Sequence, residues 1–332
     1  MRIALWVLCL VACGAAPATT SSYFTNDPGL QTGGVKMIPI HTPKGNFTVW
    51  TKRVGHGPIK VLLLHGGPAA THEYMEVFES FFPAAGIEFY EYDQLGSFYS
   101  DQPNDDDLWT TDRFVDEVEQ VRTALGLDHF YILGHSWGGI LAMEYAQAHQ
   151  EHLAGLIISN MMMSVPDYLA YSKVLEKTMD PKAVARIHEL EATGKTDDPE
   201  YETLLGPFYA EHICRIDPFP NPVVRAFGHL NKHVYTLMQG PSELGVSGRL
   251  EHYDRTKDLG KITVPTLTIS GEHDTMDPKH MAWIATQVKQ GTTLATKGSH
   301  LAMYDDQETY FRGVIGFLHA VHDGSFKPGM QL

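Results

Sequence analysis

The stretch Gly134-His135-Ser136-Trp137-Gly138-Gly139 decides how this chain folds. An apolar run, 130–133, comes directly before it, and a helical pattern, 140–146, comes directly after it. A strand, a sharp turn and a helix in this order place a serine at the top of the turn, where flanking glycines let the backbone pass closely. The pattern G-x-S-x-G therefore predicts that Ser136 is a nucleophile, next to the amide groups that begin a helix.

The composition is that of a globular protein with an acidic surface. The chain has 332 residues, of which 20% are charged and 43% hydrophobic, and its formal net charge is −15. This charge argues against a nucleic acid partner, because phosphate binding uses clustered lysine and arginine. The sequence also lacks an H-E-x-x-H, a phosphate-binding P-loop and a G-x-G-x-x-G motif, so we expect neither a metal nor a cofactor.

The first 22 residues have the features of an export signal followed by a flexible leader. A basic start, an apolar run over 3–12 and small residues over 14–18 predict a secretory signal peptide and a secreted or periplasmic protein. The residues Leu10-Val11-Ala12-Cys13 also resemble a bacterial lipobox. Two outcomes stay open: acylation of Cys13, which tethers the protein to a membrane, or ordinary cleavage that removes Cys13.

Short apolar runs alternate with helical patterns along the rest of the chain, which predicts an α/β fold with a mostly parallel sheet flanked by helices. A hairpin is expected over 35–40 and 46–53, and the other strands over 61–64, 87–92, 130–133, 153–159, 264–270 and 292–295. Helices are expected over 112–125, 169–190 and 309–321, and from residue 278. Since the strand pattern stops after 160 and returns after 250, a helical cap over 161–250 is predicted between two parts of one core, 23–160 and 251–332.

A serine hydroxyl needs a base to take its proton and an acid to orient that base. In this architecture the acid and the histidine follow the serine along the chain, each after a late strand. Asp274 follows the predicted strand 264–270, and His300 follows the predicted strand 292–295. Asp277 is an alternative acid, although a role as helix N-cap before Pro278 explains it without catalysis.

An oxyanion hole requires two preorganised amide donors. The first is expected from Trp137, directly after the serine, and the second from Gly67, which follows the strand 61–64. A tight turn at the end of that strand is the other interpretation of the glycines. His135 is expected to be structural, because the turn holds it.

With these residues in view, the chain resembles the proline iminopeptidase family of α/β-hydrolases, serine peptidases that release N-terminal amino acids. The residues that carry the resemblance are His65-Gly66-Gly67-Pro68, Asp93-Gln94-Leu95-Gly96-Ser97, the stretch 134–139, Gly271-Glu272-His273-Asp274 and Gly298-Ser299-His300. The resemblance implies an α/β-hydrolase fold with an inserted helical cap. It further implies a serine aminopeptidase with Ser136, Asp274 and His300 as its triad.

A further segment, Met238–Leu244, resembles the G-P-x-E segment of the tricorn-interacting aminopeptidase branch. The resemblance implies that Glu243 binds the α-ammonium group of a substrate with a free N-terminus, and that proline or another small apolar residue occupies the first subsite. Thr275 stands where that branch has a second glutamate. Two alternatives stay open: a hydrolase of esters, lactones or acyl-amides that needs no free amine, and a non-enzymatic binding protein, which the complete catalytic set disfavours.

Overall fold

The computed structural model describes residues 32–332, so the predicted signal peptide and leader, 1–22, lie outside the described residues. Eight strands form one sheet in these residues. Their bounds are β1 Val35–Thr42, β2 Gly45–Val54, β3 Ile59–Leu64, β4 Ile87–Asp93, β5 Phe130–His135, β6 Leu153–Ser159, β7 Thr266–Gly271 and β8 Gly291–Thr296. Every predicted strand is present, with ends that differ by one or two residues.

The sheet order is β1-β2-β4-β3-β5-β6-β7-β8. Strand β2 pairs antiparallel with both β1 and β4, and all the remaining pairs are parallel. The predicted α/β fold with a mostly parallel sheet is therefore confirmed. Because β3, β5, β7 and β8 run in the same direction, the loops that follow them emerge at one edge of the sheet.

Ten α-helices accompany the sheet in the described residues. They are α1 Thr111–Leu125, α2 Trp137–His149, α3 Val165–Leu175, α4 Pro181–Ala192, α5 Pro199–His212, α6 Asn221–Gly228, α7 Lys232–Met238, α8 Pro278–Gln287, α9 Ala302–Asp305 and α10 Gln307–His322. Short 3-10 helices cover His72–Ser80, Pro83–Ala85, Asp106–Leu108, Gln150–His152, Glu176–Thr178 and Leu259–Lys261. No helix in residues 32–332 is long and apolar enough to cross a membrane.

The prediction of one helix over 169–190 is wrong. The structure divides this stretch into α3, which ends at Leu175, and α4, which begins at Pro181. Proline has no amide hydrogen and restricts the residue before it, so it fits the first turn of a helix but interrupts its interior. The Asp180 carboxylate accepts a hydrogen bond from the amide of Lys182 and caps α4.

Both faces of the central sheet are buried. Alternate residues of β3 enter different apolar clusters: Leu62 and Leu64 belong to one, and Val61 and Leu63 to the other. Helices α1, α2 and α8 contribute to the first cluster, and α10 contributes to the second. This two-sided burial explains why the parallel strands are almost continuously apolar.

Between β6 and β7 the chain forms helices α3 to α7. Helices α3, α4 and α5 have a small apolar cluster of their own, formed by Leu175, Ile187, Leu190, Tyr201, Leu205 and Phe208 together with Leu244. The boundaries 161 and 250 of the cap stay a prediction. Several residues of these helices line the cavity that contains Ser136.

Candidate active site

Ser136 lies on a strained turn between β5 and α2. Its backbone angles are φ 56° and ψ −128°, in a region that side chains other than glycine rarely adopt. The Ser136 amide donates to the Ser159 carbonyl at 3.0 Å, which ties the turn to the end of β6. This hydrogen bond helps to hold the Ser136 backbone in a conformation that costs of order 1–3 kcal/mol. Backbone strain of this kind clusters at functional positions.

The glycines of the motif allow close backbone approaches at this turn. A Cβ atom on Gly134 would lie 1.9 Å from the Gly138 carbonyl oxygen, and one on Gly138 would lie 2.1 Å from the Leu64 carbonyl oxygen. Neither position tolerates a side chain without moving the backbone. The glycines are thus required for packing α2 against β3 and β5.

The structure brings His300 and Asp274 together. The Nδ1 atom of His300 lies 2.8 Å from Oδ1 of Asp274, and both side chains are buried. Ser136 and His300 line the same cavity. Ser136 and the His300–Asp274 pair therefore lie at the edge where β5, β7 and β8 end.

Asp274 is held at both carboxylate oxygens. Its Oδ2 accepts from the Asn160 side-chain amide at 2.7 Å, and its Oδ1 accepts from the Met276 backbone amide at 3.2 Å. Burial opposes the charge of His300, but the negative charge and the hydrogen bond of Asp274 raise the pKa of His300 above its ordinary value. The alternative acid, Asp277, accepts from the amide of Lys279 and caps α8.

Thr275 lies behind the triad. Its Oγ1 is 3.4 Å from both Oδ1 of Asp274 and Nδ1 of His300, and the residue is fully buried. The described lining of the cavity beside Ser136 does not include it. A threonine here adds a weak polar contact to the Asp-His pair.

The two predicted oxyanion donors come from separate segments, the start of α2 and the loop after β3. Trp137 begins α2, so its amide hydrogen has no acceptor within the helix. Gly67 lines the cavity with φ 109°, a backbone conformation that favours glycine. The indole of Trp137 donates to the Gln94 side-chain oxygen at 2.8 Å, and the Gln94 side-chain amide donates to the His65 carbonyl at 3.1 Å. Gln94 thus links the start of α2 to the loop that carries Gly67.

A cavity of about 430 Å³ opens beside Ser136. Much of its lining is apolar and comes from the helices and loops between β6 and β7: Leu205, Tyr209, Ile213, Phe219, Val223, Ala226, Phe227, Leu230 and Tyr235. Lys232 and Glu202 also line it and pair with each other at 3.6 Å, with both side chains mostly exposed. The cavity offers an apolar surface with few charged groups.

Glu243 and Asp197 are the carboxylates of the cavity that have no basic partner among residues 32–332, and Glu243 is the one that other side chains hold in place. Three tyrosines hold it in place. Tyr235 donates its hydroxyl to Oε1 of Glu243 at 2.5 Å, Tyr168 donates to the Glu243 carbonyl at 2.6 Å, and the Glu243 amide donates to the Tyr209 hydroxyl at 3.3 Å. This anchoring leaves a half-buried carboxylate that faces the same space as Ser136.

Sequence reasoning missed the three tyrosines and a clamp beside the site. Glu73, on the 3-10 helix His72–Ser80, is completely buried and pairs with Arg225 and His229, each at 2.7 Å. These contacts join the 3-10 helix that follows the Gly67 loop to helix α6 and its C-cap His229. Their partners lie more than a hundred residues apart, so no local pattern indicates them.

Comparisons with known proteins show which family and fold the chain resembles. Residues 60–181 match the family model described as the alpha/beta hydrolase fold. The chain is 57% identical to a proline iminopeptidase of Flavobacterium johnsoniae, over 86% of this chain and 99% of the relative. It is 56% identical to a proline iminopeptidase of Elizabethkingia meningoseptica, over 87% and 100%. The crystal structure of a Mycobacterium smegmatis proline iminopeptidase superposes with a TM-score of 0.78 at 28% identity, covering 88% of this chain and 99% of the other.

Proposed function

Because this chain belongs to the proline iminopeptidase family of α/β-hydrolases, we propose that it is a serine aminopeptidase that releases an N-terminal proline, or another small apolar residue, from peptides. One observation carries the proposal: a single cavity holds Ser136, His300 and the unpaired carboxylate of Glu243. The first two supply acyl transfer, and the third supplies a counter-charge for a free N-terminus.

The reaction follows from the position of each group. His300 takes the proton of the Ser136 hydroxyl while the serine oxygen bonds to the carbonyl carbon of the first residue. The amides of Trp137 and Gly67 donate hydrogen bonds to the oxyanion. Each donor stabilises the transition state by about 3–4 kcal/mol. The C–N bond then breaks, and the leaving amine takes the proton from His300. Water, activated by His300, hydrolyses the acyl ester and restores Ser136.

Glu243 accounts for the requirement for a free amine. An ammonium group that leaves water for an apolar cavity needs a carboxylate and hydrogen bonds in return. Glu243 offers this carboxylate at a position that Tyr235 and Tyr168 fix. Thr275 lies behind the triad, so we assign amine recognition to Glu243 and none of it to residue 275.

The test uses prolyl and alanyl amides of aminomethylcoumarin, each with a free and with an acetylated N-terminus. We expect the acetylated compounds to be cleaved at least about 100-fold more slowly, which corresponds to roughly 3 kcal/mol of lost pairing. Glu243→Gln should raise KM for the free compounds and leave the acetylated ones unchanged. Glu202→Gln is the matched control, since Glu202 lines the same cavity but already has Lys232.

Equal turnover of free and acetylated compounds would remove the role of Glu243 and favour a hydrolase of esters, lactones or acyl-amides. Retained activity in Ser136→Ala would refute the acyl-enzyme mechanism. Loss of activity in Glu202→Gln equal to that in Glu243→Gln would mean that the charge of the whole cavity, and not a defined amine site, recognises the substrate.

We also propose that residues 1–22 direct export, which the sequence alone supports. The mass of the mature N-terminus distinguishes the two outcomes. An acylated Cys13 indicates a lipid-anchored protein, and an unmodified start near residues 14–18 indicates a secreted or periplasmic one. An uncleaved Met1 in the protein isolated from its own cells would contradict export by this route.

A further inference from the structure

Two side chains outside the triad form a continuous path of hydrogen bonds across the site. His135, the residue before the nucleophile, has its Nε2 atom 2.8 Å from the His300 carbonyl oxygen. Its Nδ1 atom lies 3.0 Å from the hydroxyl of Tyr74. That hydroxyl accepts a hydrogen bond from the Gly66 amide at 2.6 Å. All three residues are buried at the edge of the cavity.

The protons of this path have one consistent arrangement. A carbonyl oxygen can only accept, so Nε2 of His135 carries the hydrogen that it shares with His300. Burial lowers the pKa of His135 to about 3, so its ring is neutral and Nδ1 has a free lone pair. Burial also raises the pKa of Tyr74 above its ordinary value, so its hydroxyl keeps the proton and donates it to Nδ1. Gly66 N–H thus donates to Tyr74, Tyr74 to His135, and His135 to His300.

The path connects the three loops that supply the chemistry. Gly66 precedes the expected oxyanion donor Gly67, His135 precedes the nucleophile, and the last acceptor is the backbone of the catalytic histidine. A Cβ atom on Gly66 would lie 2.9 Å from Cβ of Ser136 and 3.2 Å from the Tyr74 hydroxyl, so the loops are in direct contact where the path begins.

We propose that His135 and Tyr74 are positioning residues, which fix the distance between the oxyanion loop and the His300 loop around Ser136. This inference rests on the proposed function, because it assigns parts of the serine mechanism to those loops. Neither side chain exchanges a proton with the substrate. Their contribution is to hold the His300 backbone and the Gly66 backbone in one fixed relation.

The neutrality of His135 is part of this arrangement. Its ring lies 4.8 Å from the ring of His300, centroid to centroid. During the reaction His300 becomes an imidazolium, and a second positive charge at that distance would oppose the step. A neutral ring that donates at Nε2 and accepts at Nδ1 holds the backbone without this repulsion.

The test compares four single variants and one double variant with the wild-type enzyme. Tyr74→Phe removes the hydroxyl and leaves the Gly66 amide and His135 Nδ1 without their partner. His135→Phe removes both ring nitrogens, whereas His135→Gln places an amide oxygen and an amide nitrogen at a similar spacing. Tyr131→Phe is the matched control. Tyr131 is a buried tyrosine on β5, the strand that carries His135, and its hydroxyl donates to the Leu318 carbonyl, away from the site.

We expect kcat to fall about 10- to 100-fold in Tyr74→Phe and His135→Phe, with KM changed by less than about threefold, because the loops lose alignment while Glu243 still binds the amine. His135→Gln should recover most of kcat, and Tyr131→Phe should match the wild type. The double variant Tyr74→Phe/His135→Phe should lose no more than about threefold beyond either single variant, since one break already opens the path.

Labelling of Ser136 by a fluorophosphonate distinguishes a failure of the proposed function from a failure of the positioning role. A wild-type enzyme that is neither labelled nor active on amides refutes the proposed function itself. An active wild type whose Tyr74→Phe variant keeps full kcat refutes the positioning role. Losses that multiply in the double variant, or a His135→Gln enzyme as poor as His135→Phe, also overturn it. If His135→Phe fails to fold, the comparison of Tyr74→Phe with Tyr131→Phe decides.

Discussion

Glu91 gives a sharp prediction about how the stability of this protein changes with pH. The residue lies in the middle of β4 and is completely buried, and neither of its carboxylate oxygens has a hydrogen-bond partner in the described part of the chain. The Lys52 ammonium lies 3.9 Å from Oε2, and the charges of His72 and Lys52 only partly oppose the effect of burial. Burial therefore raises the pKa of Glu91 to about 8.

The direction of the effect follows from proton linkage. The unfolded chain releases the Glu91 proton near pH 4.5, whereas the folded protein keeps it until about pH 8. Below pH 4.5 both states hold the proton. Between these values only the folded state holds it, so this group makes the free energy of unfolding fall by about 1.4 kcal/mol per pH unit. From pH 5 to pH 7.5 the loss is about 3 kcal/mol.

The substitution Glu91→Gln removes this dependence, because an amide is neutral at every pH. We expect the variant to gain about 3 kcal/mol relative to the wild type as pH rises from 5 to 7.5. Urea unfolding followed by tryptophan fluorescence at four pH values measures the difference.

The control is Glu88→Gln on the same strand. Burial opposes the charge of Glu88, but hydrogen bonds from Tyr90 and Arg53 hold its pKa below the ordinary value. Glu88 is thus charged in both states above pH 5, and its variant should show a constant difference from the wild type. A constant difference for Glu91→Gln as well would refute the reasoning, since it would mean that Glu91 is ionised in the folded protein.

Two further predictions concern the loop before Ser136 and its attachment to the helices. Gly66→Ala should lower kcat by about 100-fold, because the new Cβ atom would lie 2.9 Å from Cβ of Ser136 and displace the nucleophile. The rate at which a fluorophosphonate labels Ser136 should fall with kcat, and it measures the loss of serine reactivity directly. Arg225→Met should lower the free energy of unfolding by roughly 1–3 kcal/mol, since the buried Glu73 loses a charged partner; urea unfolding at pH 7 measures it.

The arginine substitution has a control in the same chain. Arg186→Met removes an arginine whose partners, Glu189 and Glu200, are exposed, so it should change the stability by less than about 1 kcal/mol. Equal losses in Arg186→Met and Arg225→Met would contradict the importance of burying Glu73. A Gly66→Ala enzyme that labels at the wild-type rate would show that the loop can move away from Ser136 at no cost.

The strands and the site could be predicted from the sequence for the same physical reason. Strands buried on both faces need continuous apolar runs, and the residues that follow parallel strands must meet at one edge. The runs before His65, Ser136 and Asp274 are of this kind, whereas the run before His300 is the edge strand β8, which exposes Thr293 and Ala295. The order and spacing of the motifs were still enough to bring these residues together.

The division between α3 and α4 had a local signal that the apolar periodicity concealed. Asp180-Pro181 is the same N-cap and first-turn pair as Asp277-Pro278, where the start of α8 was predicted correctly. Apolar residues continue at helical spacing across Asp180, so the pattern favoured one long helix. The Asp-Pro pair marks the break, whereas proline alone does not, since Pro207 lies inside α5 without dividing it.

Contacts between distant segments had no such signal. Tyr168 lies on α3 and Glu243 in a turn after α7, and the hydrogen bond between them depends on how these two segments pack. The position of Thr275 was equally hidden. Adjacency to Asp274 suggests the cavity, but the backbone turns the side chain towards the Asp-His pair.

The distribution of charge in the site leads to a last prediction. Burial opposes the charge of His300, Asp274 raises its pKa most, and Glu243 raises it further through its negative charge. A substrate ammonium on Glu243 cancels that last effect, so His300 should lose its proton more easily in the substrate complex than in the free enzyme. The acid limb of kcat should therefore lie at lower pH than the acid limb of kcat/KM. Glu243→Gln should bring the two limbs together, and an unchanged separation in that variant would show that the substrate amine binds elsewhere.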